Sequence, residues 1–321
     1  MSVEIDREAL TITVTADFPV PPQRVWDVFA DIRQLERIAG APGRPAVYTR
    51  NDFRVGGRSA FWQPLSDGST LEGRWEWARI EPPHLWESID ENFDEFGEQS
   101  RDVPATRIVG TNTPTPDGTR FAMTHHFLSG SALETAVENG TTARMAHTAD
   151  RIAEVIADPD GPGLPPTAMA ISDTMIRICG YLDVAVEDAW RAHQDAELLM
   201  AWMFGPDGWT MPVIEVASLP GERYRFEWEN PATGERLGYQ GEVVEAIEPY
   251  RMVVTEHPIH TTADGFISDV TYVPVAGGTV LTQLIHCPTR EQRDELLTTG
   301  FAVGFEHAYR RLEAAIRAER S

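Results

Sequence analysis

The sequence contains one pattern of residues twice, once in each half of the chain. Near the N-terminus, residues 11–18 alternate strictly between polar and apolar side chains, as in a half-buried β-strand. The same alternation returns at 176–182, and further matches follow in register: Val20 with Val184, Trp26 with Trp190, Asp31 with Asp195, and Leu35 with Leu199. A strand followed by a short helix therefore occurs twice, which predicts a duplicated domain rather than a solenoid of short repeats.

The end of each copy predicts one long amphipathic helix. In the segment 300–320 apolar side chains recur at steps of three and four positions. This segment matches 140–152 in the first copy, through the pairs Gly140 and Gly300, Met145 and Phe305, His147 and His307, Arg151 and Arg311, and Ile152 and Leu312. On a helical wheel His307 falls beside the apolar stripe, so we do not predict a catalytic role for it.

A segment rich in proline and glycine separates the two copies. Residues 157–167 contain four prolines and two glycines, which is typical of an extended, stiff linker. We therefore predict a divergent first domain at 1–158, a linker at 159–168 and a second domain at 169–321.

Within each copy the order of elements is a strand, short helices, a meander of five or six strands and one long helix. This order predicts an α+β fold in which each copy packs a long C-terminal helix on an antiparallel sheet. Residues 89–108 have no close counterpart in the second copy, and we predict a loop or an irregular sheet edge there.

Composition and charge remove several classes of function. The net charge of -23 argues against binding to nucleic acid and to anionic membranes. All 27 basic residues are arginine, which excludes a P-loop and a lysine Schiff base. The two cysteines lack metal-ligand spacing and are expected to be buried, reduced thiols, and we predict neither a metal nor a cofactor. Without a long apolar run or a signal-like N-terminus, we expect a cytoplasmic protein.

The second half resembles the START-like, or helix-grip, superfamily (SRPBCC), in the branch named after homology to the activator of the heat-shock ATPase. The residues that carry the resemblance are Phe-Gly-Pro-Asp-Gly-Trp at 204–209 together with segments 184–190, 195–202, 220–226, 241–249 and 304–312. The first half resembles the same family more faintly, through 20–26, 56–58, 80–82 and 150–152, and lacks the 204–209 stretch. The resemblance implies two tandem helix-grip domains, each a curved antiparallel sheet wrapped around a long C-terminal helix, with a cavity between sheet and helix. In relatives such a cavity binds hydrophobic small molecules or, in some branches, is the site where polyketides are cyclised or dehydrated. The resemblance implies no single activity.

Strand parity and helix position give candidates for the lining of such cavities. On strands, residues that alternate share a face, so aromatic side chains at alternate positions are predicted to point inward. The candidates are Trp62, Trp75, Trp77, Met123 and Met145 in the first domain, and Trp202, Tyr224, Phe226, Trp228, Glu256, Phe301 and Phe305 in the second.

One candidate in the first domain is catalytic. His125 shares a strand face with Phe121, Met123 and Phe127, where partial desolvation would disfavour its charged form and allow acid-base chemistry. The alternative is a core or rim histidine that only hydrogen-bonds a neighbour. A further group, His257 and His260 beside Glu256 and Asp264, is better explained as a solvated connection than as a metal site.

Three functional hypotheses follow. The first is a protein that binds a hydrophobic, aromatic or polyketide-like small molecule in one or both cavities. The second is a cofactor-free cyclase, aromatase or dehydratase that moves protons with His125 or a nearby carboxylate. The third is an interaction module for a protein partner, for which the sequence identifies no partner and no surface.

Overall fold

A computed structural model of the chain describes residues 1–41, 44–64, 68–90, 106–161, 167–205, 208–298 and 301–320. The chain divides into two compact units, Met1–Pro165 and Pro166–Ser321, and the division falls inside the predicted linker segment. Each unit is described separately below. Most of the predicted loop at 89–108 lies outside the described residues.

The first unit is an antiparallel sheet of eight strands with four helices. In chain order its elements are β1 Ser2–Asp6, β2 Thr11–Phe18, α1 Pro22–Ala30, α2 Ile32–Ile38, β3 Gly40–Ala41, β4 Arg44–Pro45, β5 Val47–Asn51, β6 Arg58–Pro64, β7 Thr70–Glu81, β8 Leu85–Asp90, β9 Arg107–Thr115, β10 Gly118–His126, α3 Gly130–Glu138 and α4 Thr141–Ala157. The sheet order is β1-β2-β10-β9-β8-β7-β6-β5, and β3 and β4 form a separate small hairpin.

The second unit repeats this architecture. Its elements are β11 Ala168–Ala170, β12 Met175–Leu182, α5 Val186–Ala192, α6 Ala196–Trp202, β13 Thr210–Glu215, β14 Arg223–Asn230, β15 Glu235–Ile247, β16 Arg251–Pro258, β17 Phe266–Val275, β18 Gly278–His286, α7 Arg290–Thr298 and α8 Phe301–Glu319. The sheet order β11-β12-β18-β17-β16-β15-β14-β13 is that of the first sheet, strand for strand.

The repeated sequence positions explain why the two units begin alike. In β2 the alternation buries Ile12, Val14, Ala16 and Phe18 on the inner face of the sheet. The repeated aspartates both cap a short helix: Asp31 accepts a hydrogen bond from the backbone N–H of Arg33, and Asp195 accepts from those of Glu197 and Leu198. These local interactions start α2 and α6 at equivalent places.

The long C-terminal helix of each unit packs with its apolar stripe toward the core. In α4 the buried side chains include Met145, Ala149 and Ile152, which follow one another at helical spacing. In α8 Leu312 and Ile316 are fully buried in the main core of the second unit. Two antiparallel sheets, each with a long helix packed against it, confirm the predicted tandem helix-grip fold.

Candidate functional site

A cavity of about 1140 Å³ lies in the second domain, between one face of the sheet and helix α8. Side chains of β14, β15, β16 and β17 form one wall, and Phe305, Ala308 and Tyr309 of α8 form the other. This volume slightly exceeds the roughly 300–1,000 Å³ that is typical of pockets for small organic ligands. The structure thus places a cavity that is open to solvent between the sheet and the helix.

The sheet wall of the cavity is a continuous series of aromatic rings. Ring centroids are separated by 5.2 Å from Tyr224 to Phe226, 6.4 Å from Phe226 to Trp228, 6.4 Å from Trp228 to Tyr239 and 5.9 Å from Tyr239 to Phe266. The indole of Trp228 is fixed because its Nε1 donates to the carbonyl oxygen of Met203 at 2.6 Å. Flat, restrained rings of this kind lose little entropy when a ligand packs against them.

Glu256 places a carboxyl group in this aromatic wall. It lies on β16 on the same face as Met252 and Val254, and it lines the cavity. Burial raises the pKa of Glu256 to about 7, and the hydrogen bond from Ser268 opposes that rise only in part. Ser268 is itself held by Gln283, whose Nε2 donates to its Oγ at 2.6 Å. The carboxyl therefore has a defined position and titrates near neutral pH.

A histidine, His193, lines another part of the same cavity. Its ring lies 4.9 Å from that of Trp202, 5.4 Å from that of Tyr272 and 6.1 Å from that of Tyr309. Burial lowers the pKa of His193 to about 4, so the imidazole is neutral at pH 7. Its Nδ1 lies 2.7 Å from the carbonyl oxygen of Ala189, which can only accept, so Nδ1 carries the proton and Nε2 a lone pair.

Further polar side chains of the lining come from α7 and α8. Arg311 donates from Nε to the carbonyl oxygen of Trp202 at 2.9 Å, and its guanidinium lies 4.2 Å from the ring centre of Phe204. Glu295 and His307 also line the cavity and are exposed. The charged groups of these helices thus belong to the solvent-facing part of the lining.

The strand pairing gives the equivalent positions in the first domain. β8 pairs with β9 as β16 pairs with β17, and this register makes Leu85 equivalent to Arg251 at the start of the strand and Asp90 equivalent to Glu256 near its end. Asp90 shares its strand face with the buried Trp86 and Ser88, and burial raises the pKa of Asp90 to about 7 as well. Each domain thus carries a carboxyl with a raised pKa at the same place in its sheet.

The same comparison shows why the interiors differ. Along β7 and β15 the bulge falls at the same place, so Trp75 corresponds to Gly241 and Trp77 to Val243. In the first domain Trp77 is buried, with ring centroids 4.6 Å from Phe53 and 5.7 Å from Trp86, and its Nε1 donates to Ser59 at 2.9 Å. Where the first domain packs two indoles, the second has a glycine and a valine.

The remaining first-domain candidates lie in different surroundings. Trp75 is half-buried, 5.8 Å from Tyr48 and 5.8 Å from Trp77 between ring centroids, whereas Met123 and Met145 are buried in the core. Trp62 lies on the face of β6 opposite Ser59, away from that cluster.

His125 lies on the inner face of β10, paired with Ile12 of β2 and Ile108 of β9. Burial, followed by the charges of Arg144 and His126, lowers the pKa of His125 to about 4, so its half-buried ring is neutral at pH 7. Its counterpart in β18 is Ile285, so a role for His125 would be restricted to the first domain.

The second-domain candidates converge on the cavity. Six of them line it: Trp202, Tyr224, Phe226, Trp228, Glu256 and Phe305. Phe301 begins α8, and its side chain lies outside what the structure describes. Nε2 of His260 donates to Oε2 of Glu227 at 2.9 Å. Within the described chain no group of three or more histidine, cysteine or acidic side chains could hold a metal ion.

A model of one protein family matches the chain twice. The family is described as Activator of Hsp90 ATPase homolog 1-like protein, and the matches cover residues 19–157 and 183–317. The chain belongs to this family.

Solved structures of similar proteins each align with about half of this family member. Protein Ms6760 from Mycobacterium smegmatis is 32% identical over 48% of this chain and 95% of its own, with a TM-score of 0.45. A protein from Arthrobacter aurescens is 31% identical over 50% and 93%, with a TM-score of 0.46. An AHSA1-like protein from Aeromonas hydrophila is 19% identical over 44% and 93%, with a TM-score of 0.37. No curated protein matches the chain.

The sequence analysis missed several residues that line the cavity, among them His193, Tyr239 and Tyr309. His193 follows Ala189 and Trp190 at helical spacing and corresponds to Phe29 in the first copy, which is the pattern that could have indicated it. Asp90 was missed because residues 89–108 are predicted from the sequence to be a loop, and it was not paired with Glu256 because the separation between the copies changes after α2. None of the helices in the described ranges is both long and apolar enough to span a bilayer.

Proposed function

We propose that the second domain binds a hydrophobic, aromatic small molecule in the cavity between its sheet and α8. The observation that carries the proposal is the cavity of about 1140 Å³, walled on the sheet side by five successive aromatic rings. Binding of an apolar ligand is favourable here because the ligand replaces water in an apolar space. The few polar groups of the wall fix the orientation of the ligand.

A substitution that fills the cavity tests the proposal. Val254 lines the cavity, and Val244 is 54% exposed on the neighbouring strand. Val254→Trp should weaken binding of aromatic ligands at least about tenfold, because the indole occupies the ligand's volume, whereas Val244→Trp should leave it unchanged. Binding is measured by isothermal calorimetry and thermal shift with a panel of bicyclic and polyketide-like aromatics. The absence of binding by every member of the panel, or equal binding by Val254→Trp, would contradict the proposal.

A second candidate function is a cofactor-free dehydratase or cyclase that works by proton transfer. It is favoured by the presence in one cavity of the neutral imidazole of His193, whose Nε2 carries a lone pair, and of the Glu256 carboxyl, whose pKa of about 7 suits proton transfer. In a dehydration, Nε2 of His193 would remove a proton from carbon while Glu256 protonates the departing hydroxyl group, so that water leaves and a C=C bond forms. The proton then returns from His193 to the Glu256 carboxylate.

Turnover and affinity separate the two functions. In a dehydration or cyclisation assay with polyketide-like substrates, His193→Phe should lose far more rate than affinity if the protein is an enzyme. His125→Ala makes the same test for the first domain. If ligands bind and no substrate turns over, the binding function stands alone.

A further inference from the structure

The two domains keep a carboxyl group at one equivalent interior position although their interiors differ around it. Asp90 ends β8 and Glu256 lies near the end of β16, at matching places in the strand pairing. Nearby positions have changed in type, as with Trp75 against Gly241 and His125 against Ile285. An acid therefore occupies this position in both interiors, aspartate in the first and glutamate in the second, while nearby positions differ in type.

Among the described residues, neither carboxyl has a cationic side chain that offsets its burial. The pKa of Glu256 is raised by burial and lowered only by Ser268, and that of Asp90 is raised by burial alone. Asp269, which is buried, shows the contrast: Arg251 donates to it from Nε at 2.8 Å and from Nη2 at 2.9 Å. A desolvated carboxyl disfavours folding at neutral pH when no described cation is paired with it, and Glu256 lies in the wall of a cavity, where such a group can serve a function.

The surroundings of Glu256 suit a positively charged group. Burial raises the pKa of the Tyr224 and Tyr239 hydroxyls, and the charge on nearby Glu256 raises both further; Phe266 is the cross-strand neighbour of Glu256. A carboxylate beside several aromatic faces offers a cation both an ion pair and cation–π attraction. The net charge of -23 adds to this, because it attracts cations and repels anions over the whole surface.

We propose that the ligand of the second-domain cavity carries a basic nitrogen, which binds as a cation to the Glu256 carboxylate against the rings of Tyr224, Tyr239 and Phe266. The proposal rests on the proposed binding function and adds the chemical class of the ligand, an aromatic or polycyclic amine. Ser268 and Gln283 hold the carboxylate in place, and the ligand's ring system fills the aromatic part of the cavity.

Three probes with one carbon skeleton test the proposal on the unmodified chain. They are 2-(1-naphthyl)ethylamine, 2-(1-naphthyl)ethanol and 1-naphthylacetic acid, which at pH 7.5 are a cation, a neutral molecule and an anion. Calorimetry should show the amine binding at least about tenfold more tightly than the alcohol, and the acid most weakly. Equal or tighter binding of the alcohol or the acid would overturn this inference while leaving the proposed function in place. Binding by none of the three would count against both.

Substitution of Glu256 locates the effect. Glu256→Gln should weaken the amine at least about 30-fold and the alcohol less than about threefold, because only the cation loses its charge partner. Glu242→Gln is the matched control, since Glu242 is exposed on the neighbouring strand β15 and does not line the cavity. If Glu242→Gln removes the preference for the amine and Glu256→Gln does not, the assignment to Glu256 is wrong.

Discussion

Glu256 should make the stability of the second domain fall as the pH rises from about 4.5 to about 7. Burial raises the pKa of this carboxyl from its ordinary 4.5 to about 7. The folded state thus binds the proton more tightly than the unfolded state. The resulting contribution to the free energy of unfolding is complete below pH 4.5. The contribution is lost as the pH passes through the folded pKa.

The size of the effect follows from the same numbers. At about 1.36 kcal/mol for each pKa unit, the difference amounts to about 3 kcal/mol at most. Because the half-buried side chain faces a cavity that admits water, screening reduces this, and we expect about 2 kcal/mol.

Replacement by glutamine isolates this contribution. Glu256→Gln keeps the shape of the side chain and does not ionise. The free energy of unfolding of this variant, relative to that of the natural chain, should therefore rise by about 2 kcal/mol between pH 4.5 and pH 8. Other titrating groups are common to both proteins and cancel in the difference. The assay is urea unfolding followed by tryptophan fluorescence at several pH values.

Two further variants complete the experiment. Leu312→Ala, which removes a fully buried side chain of the second domain, identifies the transition that belongs to that domain. Glu295→Gln, at an exposed position, should show no comparable change with pH. A stability difference for Glu256→Gln that stays constant from pH 4.5 to pH 8 would refute the assignment of a buried carboxyl with a raised pKa.

Three other outcomes are expected. Burial lowers the pKa of His193 from 6.5 to about 4. The contribution of the neutral ring to the free energy of unfolding is therefore complete above pH 6.5 and is lost as the pH falls toward 4. His193→Phe should reduce this loss of stability at acid pH, as measured by urea unfolding. Ser268→Ala removes a hydrogen bond to the Glu256 carboxylate and should raise its pKa by about one unit, measured by carbon-13 NMR; an unchanged value would mean that Ser268 does not bind the carboxylate. Arg251→Leu leaves Asp269 buried without its bidentate partner and should cost about 3–5 kcal/mol in thermal and urea unfolding, with Arg251→Leu combined with Asp269→Leu recovering part of the loss.

Strand parity was sufficient to find Glu256 but not Asp90, because the pattern at 89–108 predicts a loop or an irregular edge, where parity does not apply, although Asp90 ends β8. Both acids follow the same alternation, after Trp86 and Ser88 in one domain and after Met252 and Val254 in the other. The segments that lead from the first helices to β8 and to β16 differ in length. A fixed separation taken from the N-terminal parts therefore pairs the wrong residues there, and hydrogen bonding between strands is needed to establish the equivalence.

The resemblance implies a cavity between sheet and helix, but the positions that leave space for it in the second domain could not be identified from the sequence. Trp75 and Trp77 were natural candidates for a ligand site because they are large and share a strand face. Their rings instead contact Tyr48, Phe53 and each other, and Trp77 is buried in that cluster. Gly241 and Val243 occupy the same positions in the second domain, and their sequence pattern does not indicate a cavity.

By itself, the sequence determined the duplication, the α+β class, the tandem helix-grip fold and the inward direction of Tyr224, Phe226 and Glu256. These follow from period and order, which are local properties of the chain. The tertiary structure decided which interior groups meet. The cavity, the partners of Glu256 and the neutral His193 depend on contacts between residues far apart in sequence, on strand register and on the volumes of facing side chains. Such contacts are fixed only when sheet and helix pack together.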